Sequence, residues 1–177
     1  MRPHLALAAT IGLMVPCHLF GGSPDTAPSN WQSWSPREEI APHFAFNAAA
    51  GADGKGALVI EADKREGQYG CWKGEFPVEG GKPHRFSALY RAKGVANEER
   101  SIVARVLWRD ADGKLVKHAE PTFTSYRPGD PPQAEPEYPQ RKGKTDDWTE
   151  MSDTYLVPVK ATKAIVCLLY TSDAADE

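Results

Sequence analysis

The sequence predicts an all-β domain, a jelly-roll-type β-sandwich that lacks its last one or two strands. Three observations predict it. Short runs of alternating apolar and polar residues recur along the middle of the chain. Asp-Gly, Gly-Gly and Pro-rich turns separate them, in keeping with 15 glycines and 15 prolines in 177 residues. No segment keeps a 3.6-residue apolar period long enough for a helix.

The elements follow in order. Residues 23–30 are polar, contain Pro24 and Pro28, and read as a linker, so the domain begins near Trp31. His43–Phe46 is a short extended segment, and residues 51–56 (GADGKG) form a turn. Ala57–Ala62 is a strand. Tyr69–Phe76 is another, with Trp72 and Phe76 on one face by even spacing. A turn over residues 78–83 leads to His84–Arg91, where His84, Phe86, Ala88 and Tyr90 share one face and Arg85, Ser87, Leu89 and Arg91 the other. Ser101–Arg109 places Ile102, Ala104, Val106 and Trp108 opposite Val103, Arg105, Leu107 and Arg109. Asp110–Gly113 then turns into a hairpin over residues 114–117. Residues 118–147 carry Pro121, Pro128, Pro131, Pro132, Pro136 and Pro139 and read as a long exposed loop, or a loop with a short strand near Phe123. Trp148–Val157 and Lys163–Val166 resume strand pattern.

Both ends read as foreign to the fold. Residues 1–22 have Arg2 followed by an uncharged, mostly apolar run from Leu5 to Val15, too short for the roughly 20 residues of a membrane span. This is the pattern of a secretory signal, so the protein is expected to be exported, periplasmic or extracellular, with no membrane span once the signal is removed. Cys17 hints at lipidation, but Pro16 departs from a lipobox. At the other end, residues 167–177 (CLLYTSDAADE) resemble the translation of a transposon-based sequencing-library adapter. The alternative is a strand at Leu168–Tyr170 followed by an acidic tail. On the adapter reading the domain occupies residues 31–166 and the natural chain continues past Val166. The chain as written is then a truncated fragment, expected to be poorly stable and prone to aggregate, because a missing strand leaves an unpaired edge.

Composition excludes several function classes. The 21 basic residues are balanced by 24 acidic ones, and the excess of three is the number of carboxylates at the end: Asp173, Asp176 and Glu177. A balanced surface gives no reason to expect nucleic acid or an anionic membrane as partner. With only Cys17, Cys71 and Cys167, neither a disulfide framework nor a cysteine zinc site is expected. Cys71, inside a strand, reads as a small buried hydrophobe. His4, His18, His43, His84 and His118 show no paired metal spacing, so no metal and no cofactor is expected. The acidic pairs Glu38-Glu39, Asp110/Asp112 and Asp146-Asp147 sit at turns or loops, where carboxylates are ordinary, and Asp110-x-Asp112-Gly113 lacks the later ligands of a calcium loop. No nucleophile, base and orienter combine into a catalytic motif, so no catalytic residue is assigned.

Three stretches carry a family resemblance: residues 67–95, 101–116 and 146–166. Their elements are Gly70-x-Trp72, the Val78-x-Gly80-Gly81-Lys82-x-His84-x-Phe86 run, the Trp108-x-Asp110-x-x-Gly113 hairpin, and the strand from Trp148-Thr149 through Ser152-Asp153 to Val157-Pro158. They resemble galactose-binding-like, carbohydrate-binding-module-like sandwich domains. In particular they are similar to the N-terminal domains found before carbon-nitrogen hydrolase domains in exported bacterial proteins. The resemblance implies a non-catalytic accessory domain whose partner is a glycan or a downstream catalytic domain of the same chain. An independent secreted carbohydrate-binding protein, or a structural module without a small ligand, are the alternatives. The hydrolase family's Glu, Lys and Cys have no counterpart here. Candidate ligand-binding residues are Trp72, Tyr90, Arg91, Arg105 and Trp108, since sugars stack on aromatic rings while charged groups hold hydroxyls. Trp72 and Trp108 are also in phase with aliphatic neighbours, the pattern of a core. Arg85, Arg91 and Arg105 lie off the aliphatic stripe, on either a concave binding face or a plain solvated one.

Overall fold

Alternation along each strand sorts side chains to two faces, and two such sheets bury their apolar faces against each other. A computed structural model describes residues 4–8, 26–63, 65–118 and 134–172, for 4–8 the backbone alone. Its strands are β1 (His4–Ala8), β2 (Trp31–Trp34), β3 (His43–Asn47), β4 (Ala57–Glu61), β5 (Tyr69–Pro77), β6 (Pro83–Lys93), β7 (Ile102–Arg109), β8 (Gln140–Thr145), β9 (Trp148–Leu156) and β10 (Lys163–Thr171). A single helical turn, α1 (Glu98–Ser101), precedes β7, capped by the Asn97 side chain, which accepts from the Arg100 amide. Sheet A has the order β3-β4-β1-β6-β9-β8 and sheet B the order β2-β5-β10-β7, antiparallel throughout. The protein is an all-β sandwich.

Leu58 and Ile60 of β4, Phe86, Ala88 and Tyr90 of β6, and Met151 of β9 face Trp72 of β5, Ala104, Val106 and Trp108 of β7, and Val166 and Leu168 of β10. The alternation read in β6 and β7 is realised: inward residues are buried and their neighbours are not. Trp72 also ties the sheets by a polar contact, its indole Nε1 donating to the Val59 carbonyl of β4 at 3.0 Å. Its ring meets Phe44 edge-on at 5.6 Å. Such an aromatic pair contributes about 0.5–1.5 kcal/mol beyond its buried area.

The turns follow their chemistry. Gly56 enters β4 with φ 108°, and a Cβ there would collide with the Phe46 ring, so only glycine fits. Asp146 and Asp147 (φ 48° and 68°) form the two-residue turn between β8 and β9, a conformation that Asp tolerates better than most residues. In the hairpin after β7, the Asp110 side chain accepts from the Lys114 amide at 2.8 Å and the Val116 amide donates back to the Trp108 carbonyl.

Three features differ from the sequence reading. First, Gln140–Thr145 is a strand where a loop was expected. All six residues are exposed, and β8 pairs on one side only, with a bulge between Arg141 and Gly143, so it carries no apolar alternation to detect. Second, β10 continues past Val166 to Thr171, the later residues pairing with both β5 and β7. The apolar run Cys167–Tyr170 suits the centre of a sheet, and a strand does form over Leu168–Tyr170. Third, His4–Ala8, inside the segment read as an export signal, lies as a strand between β4 and β6. The rest of that segment with Cys17, and the Pro121–Pro132 stretch with Phe123 and Tyr126, lie outside the described residues.

Candidate functional site

The outward residues of sheet A build an open groove with charged and aromatic walls. Leu89 of β6 stands opposite Glu150 of β9, and Thr145 of β8 opposite Trp148. The Asp-Asp turn closes the end of the β8–β9 hairpin and sets Asp146 on the rim. Leu89, Lys142, Thr145, Asp146, Trp148 and Glu150 line a space of about 430 Å³. That size lies within the range of small-ligand pockets, roughly 300–1,000 Å³.

Charge in the groove is organised around two residues. The Glu150 carboxylate accepts from the Arg85 guanidinium at 3.1 Å and from the Ser87 hydroxyl at 3.3 Å. Hydrogen bonding from the Ser152 hydroxyl, then from Arg85 and Ser87, holds the Glu150 carboxyl below the usual glutamate range. It is therefore an ionised acceptor at neutral pH. The Arg91 guanidinium lies over the Trp148 ring, 5.1 Å from its centroid, a cation–π contact that covers the indole and leaves it only 9% exposed.

The five residues singled out in the sequence do not form one site. Trp72, Tyr90 and Trp108 are buried in the core between the sheets, because their alternation phase is that of the inward aliphatics. Tyr90 Oη accepts from Arg141 Nε at 3.1 Å, and Arg141 also donates to the Glu98 and Ile102 carbonyls. Trp108 packs edge-on against Tyr155 at 6.2 Å. Both border an apolar void of about 40 Å³, enough for a water and far too small for a sugar ring. Trp108 Nε1 and the Tyr155 hydroxyl have no hydrogen-bond partner among the described residues, and burial pushes the Tyr155 phenol well above its ordinary pKa. Of the five, Arg91 alone contacts a residue of the sheet A groove, the Trp148 ring. Arg105 projects from the outer face of sheet B, in register with Cys167.

That outer face is apolar: Cys71, Ile165, Cys167 and Leu169 cluster there, each buried. Cys71 is 1% exposed, a small buried side chain. A hydrogen bond with Cys71, aided by Arg105, lowers the Cys167 thiol pKa, and the same hydrogen bond, with burial, raises that of Cys71. Of the other sequence candidates, His43 pairs with Glu61 at 3.4 Å and His118 with Glu137 at 3.2 Å. Tyr138 is exposed, beside Arg141 and Met151.

Lys142, Trp148 and Glu150 were not candidates in the sequence reading. Lys142 lies in the proline-rich stretch that predicts a loop, and Trp148 and Glu150 carry only a strand pattern in the sequence. A signal was present in Trp148, which follows two acidic turn residues and is out of phase with the buried Met151. Comparison with protein families, with curated proteins and with solved structures gave no match to this chain.

Proposed function

We propose that this chain is a non-catalytic ligand-binding β-sandwich, an accessory module at the front of a larger exported hydrolase, and that the outer groove of sheet A takes a glycan. The groove carries the reading: Leu89 and the part of Trp148 that Arg91 leaves uncovered, with Glu150, Asp146 and Lys142 around them, pair apolar surface with placed polar groups, as sugars need. The lowered pKa of Glu150 suits an ionised acceptor of sugar hydroxyls and not a general acid, which at neutral pH needs a raised one. The resemblance of residues 67–95, 101–116 and 146–166 to galactose-binding-like sandwiches points the same way.

Titration with a panel of neutral and acidic oligosaccharides tests the proposal. At least one is expected to bind, and Glu150→Gln should weaken it about tenfold, the loss of one charge-assisted hydrogen bond of about 1.4 kcal/mol. Arg105→Gln, on the other sheet, should leave binding unchanged. No binding across the panel, or equal loss in both variants, removes the groove as the site. The larger protein is tested separately by reading the gene across the Val166 codon: a frame continuing into Glu, Lys and Cys motifs supports a carbon-nitrogen hydrolase partner, and a stop after Glu177 removes it.

A further inference from the structure

The centre of sheet A holds a strand from a distant part of the chain. β1 pairs antiparallel with β4, His4 opposite Glu61 through Leu7 opposite Leu58, and with β6, His4 opposite Lys93 through Ala8 opposite Leu89. β4 and β6 have no pairing with each other. Take β1 away, and sheet A falls into the β3-β4 hairpin and the β6-β9-β8 meander, separated by a gap one strand wide, about 10 Å between strand axes. Both walls of that gap are ladders of backbone donors and acceptors, and a half-filled ladder in a sheet centre is costly.

The end of β10 lies at the mouth of this slot. Thr171 is in register with Tyr69. Ser172 then sits against the β4–β5 connection: its amide donates to the Gln68 carbonyl at 2.9 Å, its hydroxyl accepts from the Gln68 amide at 2.9 Å, and it donates to the Arg65 carbonyl at 3.3 Å. The Gln68 side chain accepts in turn from the Asp63 amide at 3.0 Å, two positions past the end of β4. A chain leaving Ser172 therefore meets the slot at its Glu61 end. Running on from there towards Leu58, it is antiparallel to β4 and β6, the direction β1 takes. Of these, the Thr171–Tyr69 register and the bond from the residue 172 amide to the Gln68 carbonyl are backbone relations, independent of which residues occupy the second half of β10.

We propose that the slot between β4 and β6 is the seat of the strand that follows β10 in the longer protein, and that His4–Ala8 holds it only while the N-terminal segment is attached. This rests on the reading of the chain as the front part of an exported protein. Residues 173–177 (DAADE) lack the pattern the slot selects. Register positions opposite Ile60 and Ala92, and opposite Leu58 and Tyr90, are on the core side, so the incoming strand needs apolar residues at those two places with small or polar ones between.

Amide hydrogen exchange over Leu58–Glu61 and Leu89–Lys93 tests this in three chains. The first is the full chain. The second carries Leu5→Asp and Leu7→Asp, at the register positions opposite Ile60 and Leu58. The third carries those substitutions and, in place of residues 173–177, a short Gly/Ser linker followed by a copy of residues 4–8. Protection is expected in the first, a fall of about tenfold or more in the second, and recovery in the third. If the second chain aggregates, a monomeric and protected third chain still supports the proposal. An unprotected or aggregated third chain overturns it, as does a first chain already unprotected. Sequencing the N-terminus of protein recovered after export tests the underlying reading by itself: an intact Met1 sinks the export reading and leaves the exchange results interpretable.

Discussion

Glu150 and Arg141 are the side chains with most to lose on substitution outside the core. The Glu150 carboxyl is held below its unfolded pKa by Ser152, Arg85 and Ser87. A carboxylate depressed in this way adds stability above its unfolded pKa, near 4.3, and that contribution disappears as pH falls through the lower folded value. A carbon-detected NMR titration should place Glu150 below the ordinary glutamate value, and Ser152→Ala should move it upward; an unshifted Glu150 contradicts the geometry. Arg141 joins β8 to Tyr90 and to two carbonyls beside α1. Arg141→Met keeps much of the stem and removes the donors, so urea denaturation should show a loss of about 1 kcal/mol. Residue-level function was poorly legible in the sequence for a physical reason. Alternation tells which residues share a face, but not which face meets the other sheet. Trp72 and Trp108 are in phase with aliphatics and lie in the core, while Trp148, out of phase with Met151, lies on the outer side of sheet A, buried under Arg91.

At the scale of elements, strands with one buried face were readable and strands without one were not. β6 and β7 alternate, and β5, β6, β7 and β9 all appear within a residue or two of where the sequence pattern puts them. β8 is exposed along its length, so nothing in its side chains distinguishes it from a loop; its existence depends on the Asp146-Asp147 turn and the ladder offered by β9. Gly56 shows the opposite situation, a residue type that reveals its conformation. Gly56→Ala, with φ above zero and the Phe46 ring in the way, should destabilise the domain by roughly 1–3 kcal/mol, measured as a lowered denaturation midpoint. An unchanged midpoint would mean that the β3–β4 turn is not formed as described.

For the whole molecule, the sandwich depends on contacts between residues far apart in sequence: β10, near the end of the chain, is paired on both sides within sheet B, and β1, at its start, fills the middle of sheet A. A chain lacking residues 1–22 with nothing in the slot is expected to lose its cooperative thermal transition and to elute as aggregate, because two unpaired strand edges face solvent. A sharp transition at monomeric size would contradict that. The same long-range dependence explains why the class of fold was legible while the order of strands was not: turn chemistry is local, but the partner of β10 or β1 is a property of the packed sheets. Glycan binding on the outward face of sheet A is tested by backbone and indole NMR spectra during titration with the tightest-binding oligosaccharide of the panel. Shifts are expected to concentrate on Leu89, Lys142, Thr145, Asp146, the Trp148 indole and Glu150. Shifts centred on Trp108 or Arg105, or none with any sugar, would contradict it.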